Sequence, residues 1–145
     1  MEMILFVGIQ AAGKSTFYQR QFFDTHLRLN LDMLRTRHRE RTLLQACLQT
    51  QQRLVIDNTN PTIVERAAYI GPGRAAGFRV IGYFFEPDPT GCAARNKSRA
   101  RPIPPAGLFG TLKRLERPTP DEGFDELYRV LLDVTGEFIV STYGQ

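Results

Sequence analysis

Eight residues near the amino end of the chain, Gly8 to Ser15, constrain the fold more than any other segment. They read GIQAAGKS and fit the pattern G-x-x-x-x-G-K-[ST], in which a glycine-rich loop surrounds phosphate with backbone N–H groups. Residues 3–8 form an apolar run that predicts a buried parallel strand, and residues 14–23 predict a helix. The sequence therefore predicts a strand, a phosphate-binding loop and a helix in succession.

The rest of the chain alternates short apolar runs, which predict strands, with longer segments that predict helices. The further predicted strands are residues 27–31, 54–56 and 78–85, and the predicted helices are residues 33–52, a helix that begins near Pro61, and residues 89–99. Gly71-Pro72-Gly73 is expected to kink or break the helix that begins near Pro61. This alternation predicts an α/β fold with a mostly parallel central sheet and helices on both faces. Together with the loop motif of residues 8–15, it predicts the P-loop NTPase fold.

The segment that follows is less regular. Residues 101–105 hold three prolines and predict a loop, residues 108–115 predict a short helix, and residues 118–123 predict a turn-rich connector. Residues 127–134 and 137–143 flank Thr135-Gly136 and predict a hairpin. The 145 residues are enough for one domain, so we expect a single domain over residues 1–145 with a small helical lid at about residues 89–107.

Composition limits the partners and the compartment. No apolar run approaches the ~18 residues of a membrane helix, and Glu2 stands where a secretion signal would be basic; we expect no membrane partner and a cytoplasmic location. Cys47 and Cys92 predict buried free thiols in a reducing compartment and no structural metal. The net charge of +4 is mild for a nucleic-acid binder. The excess of arginine over lysine reflects either a GC-rich genome or a use for guanidinium–phosphate contacts.

The residues of the loop predict a nucleoside triphosphate, most simply ATP, together with Mg²⁺. Gly8 and Gly13 allow backbone conformations that a side chain would block. Lys14 is expected to reach the β- and γ-phosphates, and the Ser15 hydroxyl is expected to ligate Mg²⁺. The predicted ATP-binding residues of this segment are Gly8, Gln10, Ala11, Ala12, Gly13, Lys14, Ser15 and Thr16.

A phosphate-binding loop alone does not separate motors, GTPase switches and kinases. The N-K-x-D motif of GTPases is absent, and the chain has little room for the further motifs of a motor, so a kinase is favoured. Its acceptor site should lie at the carboxyl ends of the strands. Asp32 follows the second predicted strand and is either a general base for an attacking hydroxyl or a helix N-cap. Arg35 is expected one turn further on the same helix face, while Arg37, Arg39 and Arg41 are expected to form a solvated face.

Two further segments carry candidate site residues. The third predicted strand ends in Asp57-Asn58-Thr59-Asn60, where Asp57 is expected to hold the Mg²⁺ hydration shell with Ser15 and the three polar residues to line the acceptor site. Arg95 and Arg99 are four residues apart and are expected to share a helix face. They form either a solvated basic helix end or a mobile lid that neutralises phosphate charge and excludes water. With the loop present, the lid is favoured.

The segments GIQAAGKST, LDMLR, VIDNTNPT, RNKSR and FGTLKRLERPTPDEGF together resemble the polynucleotide 5′-hydroxyl kinase family. The resemblance implies transfer of the γ-phosphate of ATP to the 5′-hydroxyl end of single-stranded or end-exposed DNA or RNA. It also implies catalytic roles for Lys14, Asp32 and Arg99, with Asp32 as the general base. Arg35 would grip the phosphate next to the terminal nucleoside, and Arg95 would act with Arg99 on the ATP phosphates.

Other functions are compatible with the same residues. The chain has no D-x-D segment, so we expect no 3′-phosphatase activity. A small-molecule or nucleoside kinase on the same scaffold would need the same loop and base. A non-catalytic ATP-binding module, or a toxin-like kinase that acts on a cell-wall precursor, would also fit the loop.

Overall fold

Five parallel strands and one antiparallel strand form the sheet at the centre of the structure, a computed structural model that describes residues 1–99 and 102–143. The strands are β1 (Glu2–Val7), β2 (Leu27–Leu29), β3 (Leu54–Ile56), β4 (Arg79–Phe85), β5 (Glu126–Leu132) and β6 (Phe138–Thr142). They are ordered β2-β3-β1-β4-β5-β6, and β6 pairs antiparallel with β5. The mostly parallel sheet and the carboxyl-terminal hairpin are therefore confirmed.

Helices cover both faces of this sheet, as expected. They are α1 (Lys14–Gln21), α2 (Leu31–Leu34), α3 (Arg37–Thr50), α4 (Ile63–Ala75), α5 (Pro89–Lys97) and α6 (Pro105–Arg114), with a 3₁₀ turn at Pro120–Glu122. Alternate residues of β1 point to opposite faces. Met3 and Leu5 pack in one core with side chains of α3 and α4, while Ile4 and Phe6 pack in the other with side chains of α1, α5 and α6.

Each core contains one of the two cysteines. Cys47 and Cys92 are both free and buried, which confirms the prediction of two buried thiols. Among the described residues, no helix is long and apolar enough to cross a membrane. Residues 100 and 101 of the predicted lid and its loop lie outside the described residues.

The predicted helix over residues 33–52 is wrong, because two helices occupy this segment. The Asn30 side chain accepts a hydrogen bond from the Met33 N–H and begins α2, and the Thr36 side chain accepts one from the Arg39 N–H and begins α3. Between them, Arg35 has a φ of 77° and ends α2. Two N-cap side chains so close together stop one helix and start another. Strand β2 accordingly ends at Leu29, two residues earlier than expected.

Helix α4 does not break at its Gly-Pro-Gly segment. It runs to Ala75, with Pro72 on an exposed face where water can satisfy the carbonyl that the missing N–H leaves free. A Cβ at Gly73 would come 2.8 Å from the Met3 Cε of β1, so a larger residue there would require the flexible end of the Met3 side chain to move. The helix therefore lies close against the sheet at this point.

Candidate nucleotide and acceptor site

A cavity of about 460 Å³ opens at the carboxyl ends of the parallel strands. Its walls come from the loop after β1, the start of α2, the segment after β3, and α5 with the loop that follows it. The predicted site residues in its wall are Gln10, Ala11, Gly13, Lys14, Ser15, Thr16, Asp32, Asp57, Asn58, Thr59, Asn60, Arg95 and Arg99. Gly8, Ala12 and Arg35 are not part of the wall. The topology thus brings most of the predicted residues to one place.

The phosphate-binding loop, residues 8–15, is shaped by positive φ angles and by one close approach. Ala11 has a φ of 61° and Gly13 a φ of 96°, and no side chain caps the first turn of α1. A Cβ at Gly8 would come 2.9 Å from the Phe85 Cβ, so only glycine fits against β4. The uncapped amide groups of α1 face the loop, and such an arrangement binds anions.

The Lys14 side chain folds back across this loop. Its Nζ donates hydrogen bonds to the carbonyl oxygens of Gly8 at 2.9 Å and Ile9 at 2.8 Å. Burial lowers the pKa of the Lys14 ammonium to about 8, although nearby Asp57 favours the charged form. Asp32 also favours the charged form and Arg99 opposes it, so all three charges act on the Lys14 ammonium.

Ser15 and Asp57 lie in direct contact at the predicted metal site. The Ser15 Oγ donates to Asp57 Oδ2 at 3.2 Å, and the Asp57 side chain is 1% exposed. A hydroxyl and a carboxylate are hard oxygen donors of the kind that Mg²⁺ prefers. The pair therefore has the right chemistry to hold this ion with the help of phosphate oxygens and water.

Arg28 joins this pair and was missed by the sequence analysis. Its Nε donates to Asp57 Oδ2 at 2.8 Å, and its Nη2 donates to Ser15 Oγ at 2.9 Å. The signal that could have revealed it is a single arginine between two leucines in a short strand, one residue before the strand's carboxyl end. In such a position a charged side chain needs a partner near the strand end.

Helix α2 places Asp32 in the cavity wall. Asn30, not Asp32, caps this helix, so Asp32 lies in its first turn and its carboxylate is exposed. The Asn30 Nδ2 donates to the Asp57 carbonyl at 2.7 Å, and Asn58 Oδ1 accepts from the Leu31 N–H at 2.9 Å. These two bonds hold the start of α2 against the end of β3.

Arg35 lies away from the cavity wall, where it was expected, and Arg37 lines the wall, which the sequence did not predict. Arg35 is exposed and lies beyond the end of α2, so it does not continue the helix face of Asp32. Arg37 is exposed, as expected, and in addition forms part of the cavity wall. The break between the two helices causes this difference, because it changes the direction of the chain between the two arginines.

Arg37 belongs to a hydrogen-bonded network around the buried Glu40. Its Nη1 donates to Tyr69 Oη at 2.9 Å and to Glu40 Oε1 at 3.2 Å. The Tyr69 hydroxyl donates to Glu40 Oε1 at 2.6 Å, and Asn58 Nδ2 donates to Glu40 Oε2 at 2.8 Å. Burial, with the neighbouring Glu40 carboxylate, raises the pKa of Tyr69, which keeps this hydroxyl protonated. The network fixes Asn58, and through it the start of α2.

The segment after β3 is fixed by hydrogen bonds to residues that are distant in the sequence. Asn60 has a φ of 46° and its Nδ2 donates to the Phe6 carbonyl at 2.7 Å. The fully buried Arg66 donates to the Asn60 carbonyl at 2.9 Å and pairs with Glu122 at 2.8 and 3.1 Å. Glu122 belongs to the ERPTPDEGF segment, so this motif supports the cavity floor from a distance.

Helix α5 of the predicted lid and the neighbouring helix α6 each contact the phosphate-binding loop through a side-chain hydrogen bond. Arg95 Nε donates to the Ala11 carbonyl at 2.7 Å, and Gln10 Nε2 donates to Thr111 Oγ1 of α6 at 2.9 Å. Asn96 bonds to both the N–H and the carbonyl of Ile103 and closes the loop between the two helices. Because α5 ends at Lys97, Arg99 does not share its helix face with Arg95, yet both line the cavity.

The chain matches the sequence model of a known protein family. A family model described as an AAA domain matches residues 3–118. The chain belongs to this AAA-domain family. The matched residues include the phosphate-binding loop, α2, the segment after β3 and the predicted lid, so the family likeness covers the whole cavity.

Solved structures show the fold of this AAA-domain chain. Chaetomium thermophilum Kti12 in complex with ADP-AlF3 superposes with a TM-score of 0.73 at 14% identity, over 92% of each chain. A gluconokinase from Sinorhizobium meliloti 1021 superposes with a TM-score of 0.65 at 17% identity, over 90% of this chain and 82% of that one. The P-loop NTPase fold, with its mostly parallel sheet and helices on both faces, is therefore confirmed.

One curated relative is similar in sequence. The bifunctional polynucleotide phosphatase/kinase of Schizosaccharomyces pombe is 26% identical over 135 residues, which are 89% of this chain. The chain spans about a third of that protein's length, since the match covers 33% of it. The similarity thus concerns one part of a larger protein.

Proposed function

We propose that this chain is a Mg²⁺-dependent kinase that transfers the γ-phosphate of ATP to the 5′-hydroxyl end of DNA or RNA. The observation that carries the proposal is the shared cavity of the phosphate-binding loop and Asp32, whose carboxylate already acts on the Lys14 ammonium. A kinase needs a phosphate donor and a proton acceptor on opposite sides of one reaction volume. The similarity to a polynucleotide phosphatase/kinase over 89% of this chain supports the choice of acceptor.

The donor side would bind the triphosphate through the loop amides and Lys14. Ser15 and Asp57 would hold the metal ion, which offsets charge on the β- and γ-phosphates when it is bound. Arg95 and Arg99, both in the cavity wall, would offset charge on the transferring phosphoryl group. The contact of Arg95 with the loop, and that of Gln10 with α6, would also limit the access of water to the γ-phosphate.

The acceptor side would be organised by Asp32. Its carboxylate would accept the proton of the 5′-hydroxyl as the new bond forms between that oxygen and the γ-phosphorus. The bond from the γ-phosphorus to its bridging oxygen breaks, and ADP leaves. A carboxylate of ordinary basicity suffices when the transition state is loose and proton transfer is late. Arg37 in the wall and the exposed Arg35 nearby offer guanidinium groups for the first acceptor phosphate.

The experiment that tests the acceptor is transfer of label from γ-labelled ATP to matched DNA and RNA oligonucleotides that carry a 5′-hydroxyl. The same oligonucleotides with a 5′-phosphate are the controls, and a panel of free nucleosides represents the alternative acceptor. Label on the 5′-hydroxyl strands, with a Michaelis constant for the oligonucleotide that rises steeply with salt, supports the proposal. Label only on nucleosides, with little salt dependence, would contradict it and assign a small-molecule kinase.

A further inference from the structure

The guanidinium of Arg28 contacts both residues that are predicted to hold the metal. It donates to Asp57 Oδ2 at 2.8 Å and to Ser15 Oγ at 2.9 Å, while the Ser15 hydroxyl donates to the same carboxylate oxygen at 3.2 Å. The three side chains therefore form a closed hydrogen-bonded ring. One cation of the protein already occupies the oxygen atoms that a divalent metal would need.

Asp57 needs a cationic partner in every state of the site. Its side chain is 1% exposed, and a buried carboxylate without a partner is strongly unfavourable. Lys14 is the other nearby cation, and the Asp57 carboxylate favours its charged form. However, the Lys14 Nζ donates its hydrogen bonds to the carbonyls of Gly8 and Ile9. Arg28 is thus the cation that directly neutralises Asp57 in this structure.

We propose that Arg28 is an internal counter-cation that occupies the metal-facing side of Ser15 and Asp57 while no nucleotide is bound. The divalent metal then enters only together with the nucleotide phosphates. The inference rests on the nucleotide and metal site of the proposed function, and it does not depend on which acceptor is phosphorylated.

The physical basis is competition between two cations for the same oxygen atoms. A metal ion that arrives alone must displace the guanidinium and lose hydration water, and it gains only two protein oxygens in return. At contact distances the two cations also repel each other. A bound nucleotide changes the balance, because its phosphates add oxygen ligands for the metal and negative charge for the displaced guanidinium.

Part of the Arg28 side chain already lies at the surface, beside an aromatic ring. Its side chain is 26% exposed, and its Cζ lies 5.9 Å from the centre of the Tyr18 ring. A guanidinium can remain over an aromatic face at little cost. Because this part of the side chain faces solvent, the guanidinium can move outward from Asp57 and remain hydrated.

The test uses Mn²⁺ as the probe and follows the signal of free Mn²⁺ by electron paramagnetic resonance in the absence of nucleotide. The proposal predicts weak binding to the wild-type chain and at least roughly tenfold tighter binding to Arg28→Gln, since a positive charge has left the site. Arg28→Lys should stay close to the wild type. The double variant Arg28→Gln/Asp57→Asn should not show this increase in Mn²⁺ affinity, because the increase depends on the Asp57 carboxylate.

A matched control is Arg79→Gln. Arg79 is also the only arginine of its strand, is exposed, and pairs with Glu126 at the amino end of β4, so this variant should bind Mn²⁺ as the wild type does. Melting temperatures show whether each variant is folded, and the comparison uses only those that are. Equal Mn²⁺ affinity of wild type and Arg28→Gln would overturn the proposal, as would a gain that survives Asp57→Asn.

The same titration with ADP present separates this inference from the proposed function. Wild type and Arg28→Gln should then bind Mn²⁺ with affinities much closer together, because the nucleotide has already displaced the guanidinium. Failure of the wild type to bind Mn²⁺ with ADP would overturn both ideas. Intact Mn²⁺–ADP binding without transfer to any oligonucleotide would overturn only the proposed acceptor.

Discussion

Arg95 donates a hydrogen bond from its Nε to the carbonyl oxygen of Ala11 at 2.7 Å and thereby joins α5 to the phosphate-binding loop. The Arg95 Nη2 donates to Cys92 Sγ at 3.3 Å, and Arg95 lines the cavity. One side chain thus positions the predicted lid and supplies positive charge. Nucleotide binding and lid position should therefore be coupled through Arg95.

Replacement of Arg95 with Ala should lower kcat for phosphoryl transfer by roughly 100-fold, the usual cost of removing one preorganised donor from a transition state. The matched control is Lys97→Ala on the same helix, because Lys97 is exposed and is not part of the cavity wall. Steady-state rates of the two variants check this prediction. Equal rates for Arg95→Ala and Lys97→Ala would show that Arg95 has no role in the reaction.

Nucleotide affinity should depend on pH through Lys14. Burial lowers the pKa of its ammonium in the free protein to about 8, and a bound phosphate should raise this pKa again because it favours the charged form. Binding above pH 8 then takes up a proton, so the Kd for ADP should rise by up to about tenfold per pH unit until the pKa of the complex is reached.

Isothermal calorimetry from pH 7 to 9.5 in buffers of different ionisation enthalpy measures both the affinity and the proton uptake. The control is Lys14→Arg, because a guanidinium stays protonated throughout this range. This variant should bind ADP with an affinity similar to or lower than that of the wild type, and its Kd should not rise above pH 8. A wild-type Kd that stays flat to pH 9.5 would contradict the lowered pKa of Lys14 in the free protein.

Glu122→Gln should destabilise the fold strongly. Arg66 is fully buried and Glu122 is its charged partner at 2.8 Å, so loss of the carboxylate leaves an uncompensated buried guanidinium. Breaking such a pair costs about 3–5 kcal/mol of unfolding free energy. Chemical denaturation measures this cost, and Asp121→Asn, an exposed neighbour, should change stability by less than about 0.5 kcal/mol. Similar stabilities of the two variants would show that the pair is not needed.

The parts of the site that could be predicted from sequence are those with a local signal. The pattern from Gly8 to Ser15 carries its own backbone requirements, and Asp57 follows a short apolar strand whose end must lie at the same edge of the sheet. The hairpin after Leu127 is equally local, since turn residues separate two β-rich runs. Each of these predictions needed only neighbouring residues.

The parts that could not be predicted depend on contacts between distant segments. Arg28 contacts Ser15 and Asp57 only because strands β1, β2 and β3 pair side by side in the sheet. Arg37 lines the cavity only because the helix is interrupted at Arg35. The N-cap signal at Thr36 was present in the sequence but the apolar spacing favoured one long helix. Helix propensity and spacing do not decide between such alternatives when two polar caps lie close together.

The proposed role of Asp32 is tested by transfer of γ-label to a 5′-hydroxyl oligonucleotide by the wild type and by Asp32→Asn, with the affinity for ADP measured for both. We expect the wild type to label the oligonucleotide and the variant to be slower by roughly 100-fold or more, because a general base has been removed. The Kd of the variant for ADP should stay within about twofold of the wild-type value. Equal transfer by the two proteins would contradict the role of Asp32. No label on either DNA or RNA, with ADP binding intact, would contradict the polynucleotide kinase assignment itself.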